Sequence, residues 1–314
     1  MLNFNLPRNT FTILILLISL HVKASYSDSL LIFSQGKCDA CGCSINNVSN
    51  NFEGLLSKQF IGIKYFSQHY KTRENVFIKE PKQDEFYNSL QLWGKVPVSK
   101  KLVLYATIPY QFNYKDTNPK TSIKGLGDIS VLANYFIFND RENSKNSPHK
   151  ILVSAGIKIP TGKFDQSNAT STNPSFQLGT GSWDILTSAN YQFIKNKFAV
   201  LLGTDYIIKT QNPKEYKFGN QWNSNLMLYY FTSLKQVKIT PKVGAISELF
   251  QDNEQRGYIV PNTSGEIILG KIGAEFSYQK FTLGSDISVP LHSNLMNNEV
   301  KPVSRFMLFL NFNF

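Results

Sequence analysis

No run of eighteen consecutive apolar residues occurs anywhere in the 314-residue chain, which excludes a helix able to cross a bilayer. Cysteine is confined to Cys38, Cys41 and Cys43, so no disulfide framework holds the remaining chain together. Histidine is scarce, with 4 in all, and none lies beside the cysteines. Carboxylates paired for acid–base chemistry are not evident. Negative charge is the minority sign, leaving a formal net charge of +11. The lysines nevertheless scatter and form no block or stripe of the kind that grips nucleic acid, so no nucleic-acid partner is expected.

What is abundant is aromatic. The 24 Phe and 15 Tyr suit two girdles at the interfaces of a membrane barrel. The first residues read as an export signal: Arg8, then the apolar stretch 11–20, then Val22-Lys23-Ala24 as a small-residue cleavage pattern. Ten apolar residues span only about 15 Å as a helix, half a hydrocarbon core, so an anchor is a poor reading. Cleavage after Ala24 leaves residues 25–57 as a periplasmic segment and 58–314 as the main body.

That body reads in period two, apolar on one side and polar on the other. Strands are expected near 58–70, 86–96, 102–114, 125–138, 150–162, 182–193, 197–209, 220–232, 237–247, 265–278, 280–291 and 303–314. Links after odd-numbered strands are long, as at 71–85, 163–181 and 248–264; most of those after even-numbered strands are tight. Only 139–149 is long where a short turn is expected. Sorting of loops by parity is what a membrane barrel with short periplasmic turns produces, and both termini on one side require an even strand number. The fold class is therefore an all-β transmembrane antiparallel up-and-down barrel of twelve strands, placed in a Gram-negative outer membrane. Lipid and the barrel-assembly machinery are its expected partners, the latter because the chain closes on Phe314 after an alternating strand.

Within this register each charge in the best-defined strands falls on the inner face. A charge facing mid-bilayer lipid costs about 2–4 kcal/mol, so the pattern is physically consistent. The interior then collects Lys64, Lys95, Lys158, Lys238, Lys242, Lys271 and Lys280 against Asp128, Asp184, Asp205, Glu275 and Asp286. These are the candidate pore-lining residues, with Tyr87, Trp93, Tyr105, Phe136 and Tyr229 as inward aromatics. Two readings stay open: an ion-pair network that fills a small barrel, or a basic permeation path. A polar replacement of Lys158 is expected to be tolerated. Pro109, Pro160, Pro241 and Pro290 lack a ladder donor and are expected at rims or bulges.

Three segments carry a likeness. Gly125-Leu126-Gly127-Asp128-Ile129, Lys158-Ile159-Pro160-Thr161-Gly162-Lys163 and Gly179-Thr180-Gly181-Ser182-Trp183-Asp184 resemble the outer-membrane family named for the meta-pathway of phenol degradation. The resemblance implies a transporter barrel taking up small hydrophobic or aromatic compounds.

The cysteines allow other chemistry. Three thiols within six residues can converge on a soft metal ion such as Cu or Zn, thiolate being the ligand such metals prefer. A local disulfide with one thiol left over explains them equally well. Passage of a small solute is thus the leading expectation for function. A metal-linked outer-membrane protein, or a barrel lipid hydrolase built on His69, His149 or His292, is the alternative.

Overall fold

The computed structural model describes residues 59–73, 82–117, 119–139, 149–165 and 175–314. Cys38, Cys41 and Cys43, the expected export signal and most of the turn at 139–149 lie outside the described residues.

Among those described, every regular element is a strand. In chain order they are β1 (Phe60–Thr72), β2 (Gln83–Pro97), β3 (Leu102–Lys115), β4 (Thr121–Leu126), β5 (Ile129–Asn139), β6 (His149–Ile159), β7 (Asp184–Lys195) and β8 (Phe198–Lys209). There follow β9 (Tyr216–Lys217), β10 (Gln221–Tyr230), β11 (Thr232–Leu234), β12 (Val237–Phe250), β13 (Asn253–Gln255), β14 (Tyr258–Val260), β15 (Gly265–Tyr278), β16 (Phe281–Leu295) and β17 (Val300–Asn313). β4 and β5 both pair with β3 and form one spanning strand with a break; β10 and β11 both pair with β12 and form another. Twelve spanning strands result. Antiparallel pairing of β1 with β17 closes them into a barrel. Closure removes the sheet edges, whose open N–H and C=O groups lipid could not satisfy.

β10 shows why the sequence folds this way. Gln221, Asn223, Asn225, Met227 and Tyr229 point inward and are buried, while Trp222, Ser224, Leu226, Leu228 and Tyr230 alternate with them outward. The same alternation places Leu104, Ile108, Ile157, Ile185, Ile272 and Leu308 on the outer wall. Outward aromatics gather near both ends of the wall. Phe198 packs on Tyr230 and Phe281 on Phe312 near the end carrying the tight turns, and Phe86 packs on Tyr114 near the other.

Three of the tight links are two-residue turns at 196–197, 235–236 and 279–280, whose first residues Asn196, Lys235 and Gln279 take positive φ. Such turns match the twist of the strands they join. At the opposite end the long connections carry structure of their own, with β9, β13 and β14 making a small three-stranded sheet. Several strands run further than the period-two reading allowed. β2 starts at Gln83, β12 reaches Phe250, β16 reaches Leu295 and β17 starts at Val300, so the connection after β16 shrinks to 296–299.

Three of the four prolines sit where the ladder is broken. Pro109 lies opposite the gap between β4 and β5, its carbonyl accepting from Gly127 N–H at 2.8 Å. Pro160 follows the last residue of β6, and Pro290 adjoins the irregularity in the β15–β16 pairing. Pro241 departs from the expectation: it pairs with Ala274 inside the ladder.

Replacing Leu308, an outward residue midway along β17, by Arg should destabilise the folded barrel by about 2–4 kcal/mol. Reversible urea unfolding in lipid vesicles measures this. Leu308→Phe should leave the midpoint nearly unchanged.

Candidate functional site

The interior is where the chemistry lies, and it is built in layers. A cluster beginning at the turn end contains Phe60, Trp93, Tyr105 and Phe309. Trp93 meets Phe60, Tyr105 and Phe309 edge-on at 4.7, 6.0 and 5.8 Å between centroids. A second apolar cluster sits toward the loop end and contains Tyr70, Tyr87, Phe176, Phe250, Leu269 and Leu295. Charged pairs occupy the levels between and around these clusters.

The pairs are close and buried. Lys242 Nζ lies 2.9 Å from Glu275 and 2.8 Å from Asp286, which also holds Lys271 at 2.9 Å. Arg305 grips Glu248 with two N–H groups at 2.6 and 2.9 Å and donates to the Tyr70 hydroxyl at 3.0 Å. Lys115 pairs with Glu85 at 3.0 Å, and Glu85 also accepts from Tyr87. A buried ammonium or guanidinium is tolerable only when paired and hydrogen-bonded, which these contacts supply.

One cluster does more than fill space. Lys158 on β6 reaches Asp184 on β7 at 2.6 Å and Asp128, in the break between β4 and β5, at 3.0 Å. It also donates to Thr180 Oγ at 2.5 Å. Asp128 accepts the backbone N–H of Gly162 and of Thr180, each at 2.9 Å. Asp184 accepts from Ser182 at 3.0 Å and lies 3.6 Å from Lys209. A single carboxylate therefore ties both limbs of the β6–β7 connection to the wall. The three sequence segments that carried the family likeness meet at this point.

Glycine is required where the two limbs touch. A Cβ on Gly162 would stand 2.8 Å from the Gly179 Cα, and one on Gly179 would stand 2.3 Å from an Asp128 carboxylate oxygen. Any larger residue would push a limb off the aspartate.

Held there, segment 175–183 turns into the barrel, and Ser175, Phe176, Gln177 and Thr180 are buried. Gln111 and Asn113 on β3 donate to the carbonyls of Leu178 and Gln177 at 2.8 and 3.5 Å. Phe176 meets Tyr87 on β2 edge-on at 6.0 Å, with Lys115 Nζ 4.7 Å from its ring centroid. The segment thus leaves from β6 and β7 and reaches the wall three strands away, passing over the lumen.

The expected interior set falls largely into this picture. Lys64, Lys95, Lys158, Lys242, Lys271, Asp128, Asp184, Asp205, Glu275 and Asp286 are buried. Lys238 is half-buried beside Phe231 near the turn end. Lys280 is different: it occupies an exposed turn, its ammonium over Phe312 at 5.8 Å. Tyr87, Trp93, Tyr105 and Tyr229 are buried inward, while Phe136 is only half-buried at a register shift in β5. The expected tolerance of a polar replacement at Lys158 runs against these contacts, because removing the ammonium would take from Asp128 its paired cation and leave Asp184 with Lys209 alone, 3.6 Å away.

Sequence reading passed over Glu85, Lys115, Lys209, Glu248 and Arg305 as site residues. Glu85 and Glu248 stood in expected loops, and Lys115 lay one residue past an expected strand end. Longer strands at the loop end would have revealed these three, whereas Lys209 and Arg305 lay within expected strands. The histidines do not converge. His69 contacts Asp84, His149 the Tyr191 hydroxyl and His292 Glu266. No group of three or more His, Cys, Asp or Glu able to hold a metal ion occurs among the described residues.

Lys158→Met should cost about 3–5 kcal/mol, the usual penalty for stripping one partner from a buried ion pair. It should also speed proteolytic cutting within 160–183. Adding Asp128→Asn and Asp184→Asn to that variant should recover much of the loss, which urea midpoints for the single and triple variants would show.

Comparison with known proteins agrees with this architecture. A family model described as "Putative MetA-pathway of phenol degradation" matches residues 86–287. In structure the chain is similar to an outer membrane channel from Pseudomonas putida F1, with a TM-score of 0.62 and 16% identity over 82% of this chain and 96% of that one. It is also similar to the β domain of the Bordetella autotransporter BrkA, with a TM-score of 0.49 and 10% identity over 82% and 100% of the two chains. At 16% identity the likeness to the channel is one of fold. No curated protein matches the sequence. Because the family match covers well over half of the chain, this protein belongs to the "Putative MetA-pathway of phenol degradation" family and is an outer-membrane β-barrel with a channel fold.

Proposed function

We propose that the barrel carries a small solute with a hydrophobic or aromatic body across the outer membrane, and that segment 175–183 is the gate. The observation that carries this reading is the seat of Phe176. A phenyl ring from an inward-turned segment sits in an apolar cluster lined by Tyr70, Tyr87, Phe250, Leu269 and Leu295. A place that holds one aromatic ring can hold another once the segment withdraws, since burial of apolar surface drives both. Below that seat the aromatic layer around Trp93 offers a second apolar surface, and paired charges line the levels between. The inward charges then act as a scaffold that keeps the wall rigid.

Membership of the family and the fold shared with an outer membrane channel support the reading. A lipid hydrolase finds no comparable support: among the described residues the histidines bond Asp84, the Tyr191 hydroxyl and Glu266, and none bonds a serine hydroxyl.

Phe176→Ala should raise the conductance of the purified barrel in planar bilayers, and a small aromatic solute added on the loop side should restore part of the block. Unchanged conductance in Phe176→Ala, with no effect of the solute, would count against the gate.

A further inference from the structure

Most charges inside the barrel have partners of opposite sign, which makes the exceptions informative. Asp205 on β8 is buried, and neither of its carboxylate oxygens has a hydrogen-bond partner. Its cross-strand neighbours are Ser188 on β7 and Asn223 on β10. Nearby on the same inner face, the side-chain carbonyl oxygen of Asn190 is also unpartnered, as is the Asn223 amide nitrogen. Asn190 and Asn225 flank Gly203, where a Cβ would stand 2.6 Å from the Asn190 oxygen and 2.5 Å from the Asn225 nitrogen. The absent side chain at 203 leaves room for both amides above the sheet.

This wall is therefore rich in acceptors. Across Asp205, Asn190 and Asn223, three buried oxygens lack a donor, against one buried nitrogen, that of Asn223, that lacks an acceptor. Leaving a buried acceptor unsatisfied costs about 1–3 kcal/mol, and more when it is charged. Native interiors contain few such atoms, and a group of them on three adjacent strands calls for an occupant. A second unpartnered charge of the interior stands on another strand. Lys64 also lacks a hydrogen-bond partner, but β1 is the first and β8 the seventh of twelve spanning strands, so the two groups stand on opposite sides of the wall. Lys64 instead lies 4.8 Å over the Trp93 ring.

We propose that Asp205, Asn190 and Asn223 form a subsite for a primary ammonium carried by an organic solute. An ammonium brings one positive charge to oppose the single carboxylate and three N–H donors for the surplus of oxygens. A divalent ion would bind poorly here, since one carboxylate supplies too little charge. The subsite rests on the channel reading for its purpose, naming the polar end of the permeant. Its occupancy does not depend on conduction, because binding can be read on the isolated protein.

The test is calorimetric titration of the full barrel in detergent micelles with benzylammonium, benzyl alcohol and potassium ion. Wild type should bind benzylammonium more tightly than benzyl alcohol, and potassium at equal concentration should not displace it. Asp205→Asn should weaken benzylammonium binding by about tenfold or more, as expected for loss of a charge-assisted hydrogen bond, and leave benzyl alcohol unchanged. Equal benzylammonium affinity in wild type and variant would overturn the proposal, as would displacement by potassium, which would mark a simple alkali-ion site. Should the variant fail to assemble, the wild-type preference for benzylammonium over the alcohol decides the matter alone. A barrel that binds benzylammonium yet conducts nothing in bilayers would reject the channel reading and keep the subsite.

Discussion

A single ammonium, that of Lys158, lies between Asp128 and Asp184, and much of the loop-end architecture follows from that placement. Two carboxylates facing each other in a barrel interior repel unless a cation stands between them. Asp128 can stand there because the fourth spanning strand breaks after Leu126, releasing the backbone to turn a carboxylate inward. The break falls opposite Pro109, which has no N–H to lose. Once seated, Asp128 collects two backbone N–H groups from the β6–β7 connection and so fixes where segment 175–183 runs. Phe176 then reaches the apolar cluster at the loop end. Strand break, ion cluster, glycine contact and inward segment are one assembly.

Elsewhere the interior obeys the rules of a protein core more than those of a water-filled pore. Lys242 serves Glu275 and Asp286 together, Arg305 takes Glu248 bidentately, and Lys115 takes Glu85. Buried pairs of this kind add little net stability compared with a well-packed apolar core, yet losing one member is costly. Their value is in fixing how strands and loop fit together. The unpartnered groups on β7, β8 and β10 contrast with this economy, and it is the contrast, more than the presence of a carboxylate, that singles out Asp205.

The barrel was legible in the sequence because the bilayer imposes period two so strictly. Facing in β3, β6, β7, β15 and β17 could be read residue by residue, since a slip of one position would turn Lys158 or Glu275 to lipid. Strand ends were less legible. Glu85, Lys115 and Glu248 look like loop residues by composition, and only their pairing, Glu85 with Lys115 on the adjacent strand and Glu248 with Arg305 on β17, shows them to be wall. The join of the three glycine-bearing segments could be suspected from their likeness to a family, but their spacing gives no hint of it. Nothing in a one-dimensional pattern says that residue 128 meets residues 162 and 180. Lys158 illustrates the limit well: the sequence placed it inward correctly, while its two partners, which decide the effect of replacing it, needed the fold.

If segment 175–183, held by the Lys158 cluster, closes the lumen, it must move for a solute to pass. A reversible tether tests this most directly. Asn113 on β3 donates to the Gln177 carbonyl at 3.5 Å, so its side chain reaches the backbone of the segment. Cysteines placed at 113 and 177, with Cys38, Cys41 and Cys43 replaced by serine, should form a disulfide that locks the segment inward. Single-channel recording of that variant should show a silent barrel when oxidised and conductance recovered on reduction. Conductance of equal size in both states would contradict gating by this segment.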